Sequence, residues 1–224
     1  MSNLNDSPFF SFFKTGKGEY AEGDVFIGVN VPVLRDIAKR YAELLSIDEL
    51  EEILQSPIHE QRLCCLFMLL MLFKKKQYAI IKDAIFQLYM RNTAYINNWD
   101  LVDSSAHYIV GAYLEDKDRS LLFSLTTSNS LWENRIAMIA CFWYIKKNDY
   151  EDALIIADLL LHHKHDLIHK AVGWMLREIG NRHLESEMRF LKNHYRTMPR
   201  TMLRYAIEKF PANLREDFLK GRVE

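Results

Sequence analysis

From about residue 30 onward, apolar residues return every three or four positions with little interruption by Gly or Pro, and alternating strand-like patterns are nearly absent. Such a chain is constrained to pack helix against helix. Its most apolar block, "LCCLFMLLMLF" from Leu63 to Phe73, is hydrophobic all round. That run is well short of the roughly 20 residues needed to span a bilayer, and Lys74, Lys75 and Lys76 close it, so it is expected as a buried helix. Apolar helices are expected over 58–75, 77–91, 99–114, 130–146, 149–163, 166–180 and 183–195, joined by the short connections of antiparallel pairs. Pro32 suits the first turn of "VPVLRDIAKRYAELL", and Asp48 suits the start of "IDELEEIL".

A repeat runs through these helices. A basic or polar residue followed by small and apolar ones recurs as "RLCCLFML", "LVDSSAHYIVG", "RIAMIACFW", "KAVGWMLR" and "RYAIEKF". The anchors Arg62, Leu101, Arg135, Lys170 and Arg204 are separated by 39, 34, 35 and 34 residues. That period suits a two-helix repeat of the HEAT kind, in which each pair hides its apolar face only against its neighbours. The expected fold is therefore all-α, a curved solenoid of HEAT-like antiparallel helix pairs whose second helices line a concave face. No stretch rich in Gly, Ser or Pro interrupts it, which predicts a single domain over 1–224.

Composition narrows the setting. With 224 residues, 49% of them apolar, the chain can bury a sizeable core and is not disordered. The start "MSNLNDSPFF" lacks a basic region followed by an apolar one, so a cytoplasmic protein with no membrane contact is expected. Cys64 and Cys65 are adjacent and Cys141 stands alone, a spacing that builds neither a disulfide ladder nor a CxxC metal site and reads as core thiols. The formal net charge is −1, but it is unevenly spread: from Leu160 to Glu224 there are 13 Lys and Arg against 8 Asp and Glu, leaving 16 against 22 before them. A basic face for an anionic ligand and ordinary solvated helix faces both accommodate that split.

The stretch "NNWDLVDSSAHYIVGAYL" is the most pointed. At 100° per residue, Leu101, Val102, Ser105, Tyr108, Ile109 and Ala112 gather on one side, while Trp99 and Asp103 point the other way about 40° apart. An indole held off the core suggests a binding surface, with packing on a neighbouring loop as the alternative. Arg135 in "SLWENRIAMIACFWY" and Trp174 with Arg177 in "HKAVGWMLREIG" occupy similar stations in later repeats. Repeat registration would bring all five to one concave face; the bland alternative pairs Arg135 with Glu133 or another acid and puts Trp174 in the core. Other fragments are set aside. "GKGEYA" matches a dinucleotide-binding pattern but has no strand before it, and "SFFK" lacks the companions of an SxxK nucleophile site. His165 and His169 have zinc-ligand spacing without a third ligand, so solvated or capping roles are expected.

The blocks "FFKTGKGEYAEGDVFIGVNVPVLRDIAKRY", "NNWDLVDSSAHYIVGAYL", "WENRIAMIA" and "HKAVGWMLREIG" together resemble the AlkD-like DNA alkylation repair family of HEAT-like repeat DNA glycosylases, from about Phe12 to about Phe210. The resemblance implies a catalytic carboxylate at Asp103, aromatic walls at Trp99 and Trp174, a phosphate contact at Arg135 and a further DNA contact at Arg177. It implies a monofunctional glycosylase that excises cationic N3- or N7-alkylpurines from duplex DNA without flipping the base, acting as a monomer with no metal and no organic cofactor. The residue types fit that chemistry. Breaking the N-glycosidic bond builds positive charge on the sugar, which a carboxylate can stabilise while orienting water. Indole faces attract a cation, and arginines hold phosphates without reading sequence. A non-catalytic HEAT module that binds DNA structures or a protein partner is the competing expectation.

Overall fold

The computed structural model describes residues 13–223. The "MSNLNDSPFF" start and Ser11 of "SFFK" lie outside the described residues. Within them the chain is all-α, with no strand and a lone parallel bridge between Val25 and Ile58. Two compact units emerge, Met1–Tyr113 and Leu114–Glu224.

In the first unit, α1 (Val31–Tyr41) begins with Pro32 in its first turn, as expected, and is capped by Asn30. The next helix, α2 (Ile47–Leu54), is closed by a reciprocal capping box between Ser46 and Glu49, with Asp48 in the first turn, not at the cap. Both pack on α3 (His59–Lys74). That helix is buried on nearly every side from His59 to Phe73, as a helix hydrophobic all round must be. The sulfhydryls of Cys64 and Cys65 reach the carbonyls of Leu34 and Leu50, so both thiols are core groups that also tie α3 to α1 and α2. After α3, the helix expected over 77–91 arrives in two parts. Lys76–Ile81 forms a tighter 3₁₀ turn that buries no residue, and only Lys82–Arg91 is regular (α4). The first part carries Tyr78, Ile80 and Ile81 but buries none of them, so packing adds little to hold it in an α-helix. The unit ends with α5 (Trp99–Ala106), which runs on into a wider π turn, His107–Gly111.

In the second unit, α6 (Ser120–Thr126) packs on α7 (Leu131–Ala140), and α8 (Phe142–Ile145) follows a break at Cys141 within the helix expected over 130–146. The helices α9 (Glu151–Leu159), α10 (Asp166–Gly180) and α11 (Leu184–His194) lie close to the expected spans. The last two, α12 (Arg200–Ala206) and α13 (Ala212–Lys220), together with α6, were not expected as helices from the sequence. The most extensive helix–helix contact among the described residues joins α10 to α12. A Cβ on Gly173 would lie 2.4 Å from the carbonyl oxygen of Met202 and 2.5 Å from Cβ of Tyr205, so only glycine lets the two backbones meet there. Among the described residues, no helix is long and apolar enough to cross a membrane.

Candidate nucleic-acid repair site

In the first unit, the candidate residues stand at the beginning of α5. Buried Asn98 accepts the Trp99 N–H at 2.8 Å and starts the helix, which places Trp99 in the first turn and Asp103 one turn later. Both side chains are half-buried, whereas Leu101, Val102, Ser105 and Ile109 are fully enclosed. The wheel is right over this first stretch and fails after it. The π turn adds a residue to one turn, so His107, Val110 and Gly111 are also buried and Tyr108 is only half-buried. The Trp99 ring stacks on Phe13, with centres 5.8 Å apart and planes 11° apart, so the neighbouring-loop alternative describes part of its surroundings.

Behind Trp99 lies a buried ion network with no counterpart in the sequence reading. His59 holds Asp100 at 2.8 Å through Nε2 and Asp24 at 3.4 Å through Nδ1, while Arg62 donates to the other oxygen of Asp24 at 2.7 Å. Burial alone would pull the His59 imidazole down, but its hydrogen bonds to Asp100 and Asp24 win and push it up to about 9, so at neutral pH both ring nitrogens donate. Burial would likewise raise the Asp24 carboxyl; hydrogen bonds from His59 and Arg62 hold it below the ordinary range instead. Next to His59, the Glu60 carboxylate accepts the backbone N–H groups of Ile27 and Gly28. The loop from Asp24 to Gly28 is thereby tied to the starts of both α3 and α5. Phe26 stacks on His59 at 4.5 Å and Phe13 covers both rings. Only Asp100, adjacent to Trp99, hints at this in the sequence; the bonded pairs of the network are 35, 38 and 41 residues apart.

The second unit carries the other three. On α10, Trp174 is half-buried, donates from Nε1 to Glu178 at 3.3 Å and meets Phe142 with ring centres 5.7 Å apart. It is therefore neither a core residue nor an isolated surface indole. Arg177, one turn on, is paired with Glu208 and its side chain is 17% exposed. Arg135 is 4% exposed and donates to the backbone carbonyl of Leu167, 32 residues on. Beneath this end of α10, the Glu187 carboxyl sits against Gly180 with one oxygen lacking a hydrogen-bond partner, and burial pushes it up to about 8 against the opposing charge of Arg177. Of the expected site residues, then, the fold pairs Trp99 with Asp103 in one unit and Trp174 with Arg177 in the other. His165 caps α10 by accepting the Leu167 N–H at 3.1 Å, in keeping with a capping role.

Comparison with known proteins adds a family and a fold. A family model described as "DNA alkylation repair enzyme" matches residues 6–210. Among solved structures, a predicted DNA alkylation repair enzyme from Enterococcus faecalis superposes with a TM-score of 0.65 at 14% identity, covering 85% of this chain and 90% of its own. AlkD2 from Streptococcus mutans gives 0.59 at 17% identity, covering 83% and 92%. No curated protein sequence matches.

Proposed function

The chain belongs to the DNA alkylation repair enzyme family, and on that premise we propose that it is a monofunctional DNA glycosylase releasing cationic N3- or N7-alkylpurines from duplex DNA. The observation that carries the proposal is the pairing of Trp99 with Asp103, one turn apart at the half-exposed start of α5. In this reading the Asp103 carboxylate faces the sugar as the glycosidic bond lengthens, stabilises its developing positive charge and orients the attacking water. Trp99 and Trp174 offer ring faces to the cationic nucleotide, each adding about 0.5–2 kcal/mol. Arg177 exchanges Glu208 for a phosphate, and Arg135 holds the backbone directly or fixes the start of α10 through Leu167. Recognition rests on the lesion's charge, so the base stays stacked and no flipping is required. In this reading the protein acts in the cytoplasm as a monomer, with no metal or organic cofactor taking part in the chemistry.

Asp103→Asn tests this. It should lower release of 7-methylguanine from methylated duplex DNA by about 10²-fold or more, the cost of losing one preorganised electrostatic stabiliser. Unchanged release would remove Asp103 from the chemistry. Duplex binding with no base release by the native protein would favour the second reading, a non-catalytic DNA-binding module; the burial of Arg135 and its bond to Leu167, a structural use of an expected site residue, is the observation on that side.

A further inference from the structure

Away from Trp99 and Asp103, the first unit displays a pair of cations that no carboxylate neutralises. Arg35, exposed on α1, lies with its guanidinium carbon 4.1 Å from the centre of the Phe67 ring. Phe67 and Lys74 are seven residues apart on α3, hence on the same face and about 10 Å apart along the axis. The Lys74 ammonium lies 3.6 Å from the centre of the Tyr108 ring, in the π turn that continues α5 beyond Asp103. Three elements therefore contribute to one ridge of aromatic faces topped by positive charge.

Neither cation has an ion-pair partner among the described residues. The contrast with the next residue is sharp, because Lys75 is paired with Glu43, which also accepts the Tyr78 hydroxyl. Partial burial and the positive charge of Arg35 together hold the Lys74 ammonium below the ordinary lysine range, and no acidic group offsets them. Two like charges that influence each other raise the energy of the free protein, and ring faces offset only part of that. A bound anion would relieve the repulsion, while the aromatic faces hold both stems in place before it arrives.

We propose that Arg35 and Lys74, laid over Phe67 and Tyr108, form a phosphodiester-binding site that grips the backbone of the same DNA duplex. The site deepens the reading of the protein as a DNA repair enzyme and rests on it for the identity of the ligand. Such contacts position the duplex without selecting sequence. Their energetic signature is the release of counterions, which makes each neutralised phosphate contribute about −0.9 to the slope of log affinity against log salt.

The test is binding of the full chain to fluorescein-labelled, unmodified duplex DNA across a salt series. Arg35→Ala and Lys74→Ala should each reduce the magnitude of the slope by about 1, and the double variant by about 2, equally for unrelated sequences. Arg35→Lys and Lys74→Arg, which keep the charge, should retain the native slope, separating charge from any packing loss; thermal melting of each variant checks folding. A native slope in a folded double variant would overturn the site. So would an equal loss in Lys75→Ala, which would show general surface charge at work, or anion binding restricted to inorganic phosphate with no duplex binding. The two readings fail separately: base release that depends on Asp103 beside an unaltered salt slope rejects this site alone, and charge-dependent duplex binding without base release rejects the glycosylase alone.

Discussion

The two units hold their candidate residues by opposite means. At the start of α5, Trp99 is backed by charge: His59 bridges Asp100 and Asp24, and Arg62 completes the set, with His59, Asp24 and Arg62 buried and Asp100 at the edge. Trp174 and Arg177 are backed by close packing, since Gly173 lets α10 press on α12 and the one buried acid beneath, Glu187, goes without a full set of partners. A charged network fixes direction but is sensitive to removal of one member. Close packing fixes distance and is sensitive to volume. The same family of site residues can thus be positioned by electrostatics in one half of a chain and by sterics in the other.

Four measurements probe that contrast. The largest effect expected is from Arg62→Leu, which removes the guanidinium from buried Asp24 and should cost about 3–5 kcal/mol in urea unfolding. A cost below about 1 kcal/mol would mean that His59 alone satisfies Asp24. Next comes Gly173→Ala, where the added methyl must push α10 from Met202 and Tyr205, a loss of about 1–3 kcal/mol by thermal melting. An unaffected melting temperature would refute the steric account of the second unit.

The pH dependence follows from the two shifted groups. Glu187 is raised from 4.5 to about 8, so its folded form keeps a proton the unfolded chain releases, and it makes stability fall as pH rises from about 4.5 to about 8. His59 is raised from 6.5 to about 9, so its stabilisation is complete below about 6.5 and is lost as pH rises through about 9. Glu187→Gln should flatten the lower window in a melting series and leave the upper; His59→Gln should do the reverse. Both windows persisting in either variant would assign the dependence to other groups. The smallest effect is expected from Asn98→Ala, which removes the cap of α5 at a cost of about 1 kcal/mol, seen as a modest drop in melting temperature.

The legible part of this molecule is the part written in local pattern. Buried α3 follows from an apolar run with no polar stripe, and the one-turn spacing of Trp99 and Asp103 follows from the rise of any helix that contains them. The candidate site was readable as residue types at helical stations, and its membership of a repair family was readable in the gapless blocks around them. The helix over 77–91 is half readable, because Tyr78, Ile80 and Ile81 supply an apolar signal in its first turns but none of them is buried in the fold. The short helices α6, α12 and α13 hide because a seven- to nine-residue segment carries too few periods to stand out from a loop.

The helical class, the core thiols, the buried run from Leu63 to Phe73, and the adjacency of an indole and a carboxylate on one helix all follow from local pattern along the chain. What those groups touch depends on the packed fold. His59 meets partners 35 and 41 residues away, Arg135 donates to a carbonyl 32 residues on, and Lys74 settles over Tyr108 in the π turn that follows α5. Helical periodicity is a short-range consequence of backbone geometry and survives in the unfolded sequence as a pattern. Burial, pairing and proton affinity are properties of neighbours, and neighbours exist only once the chain has folded.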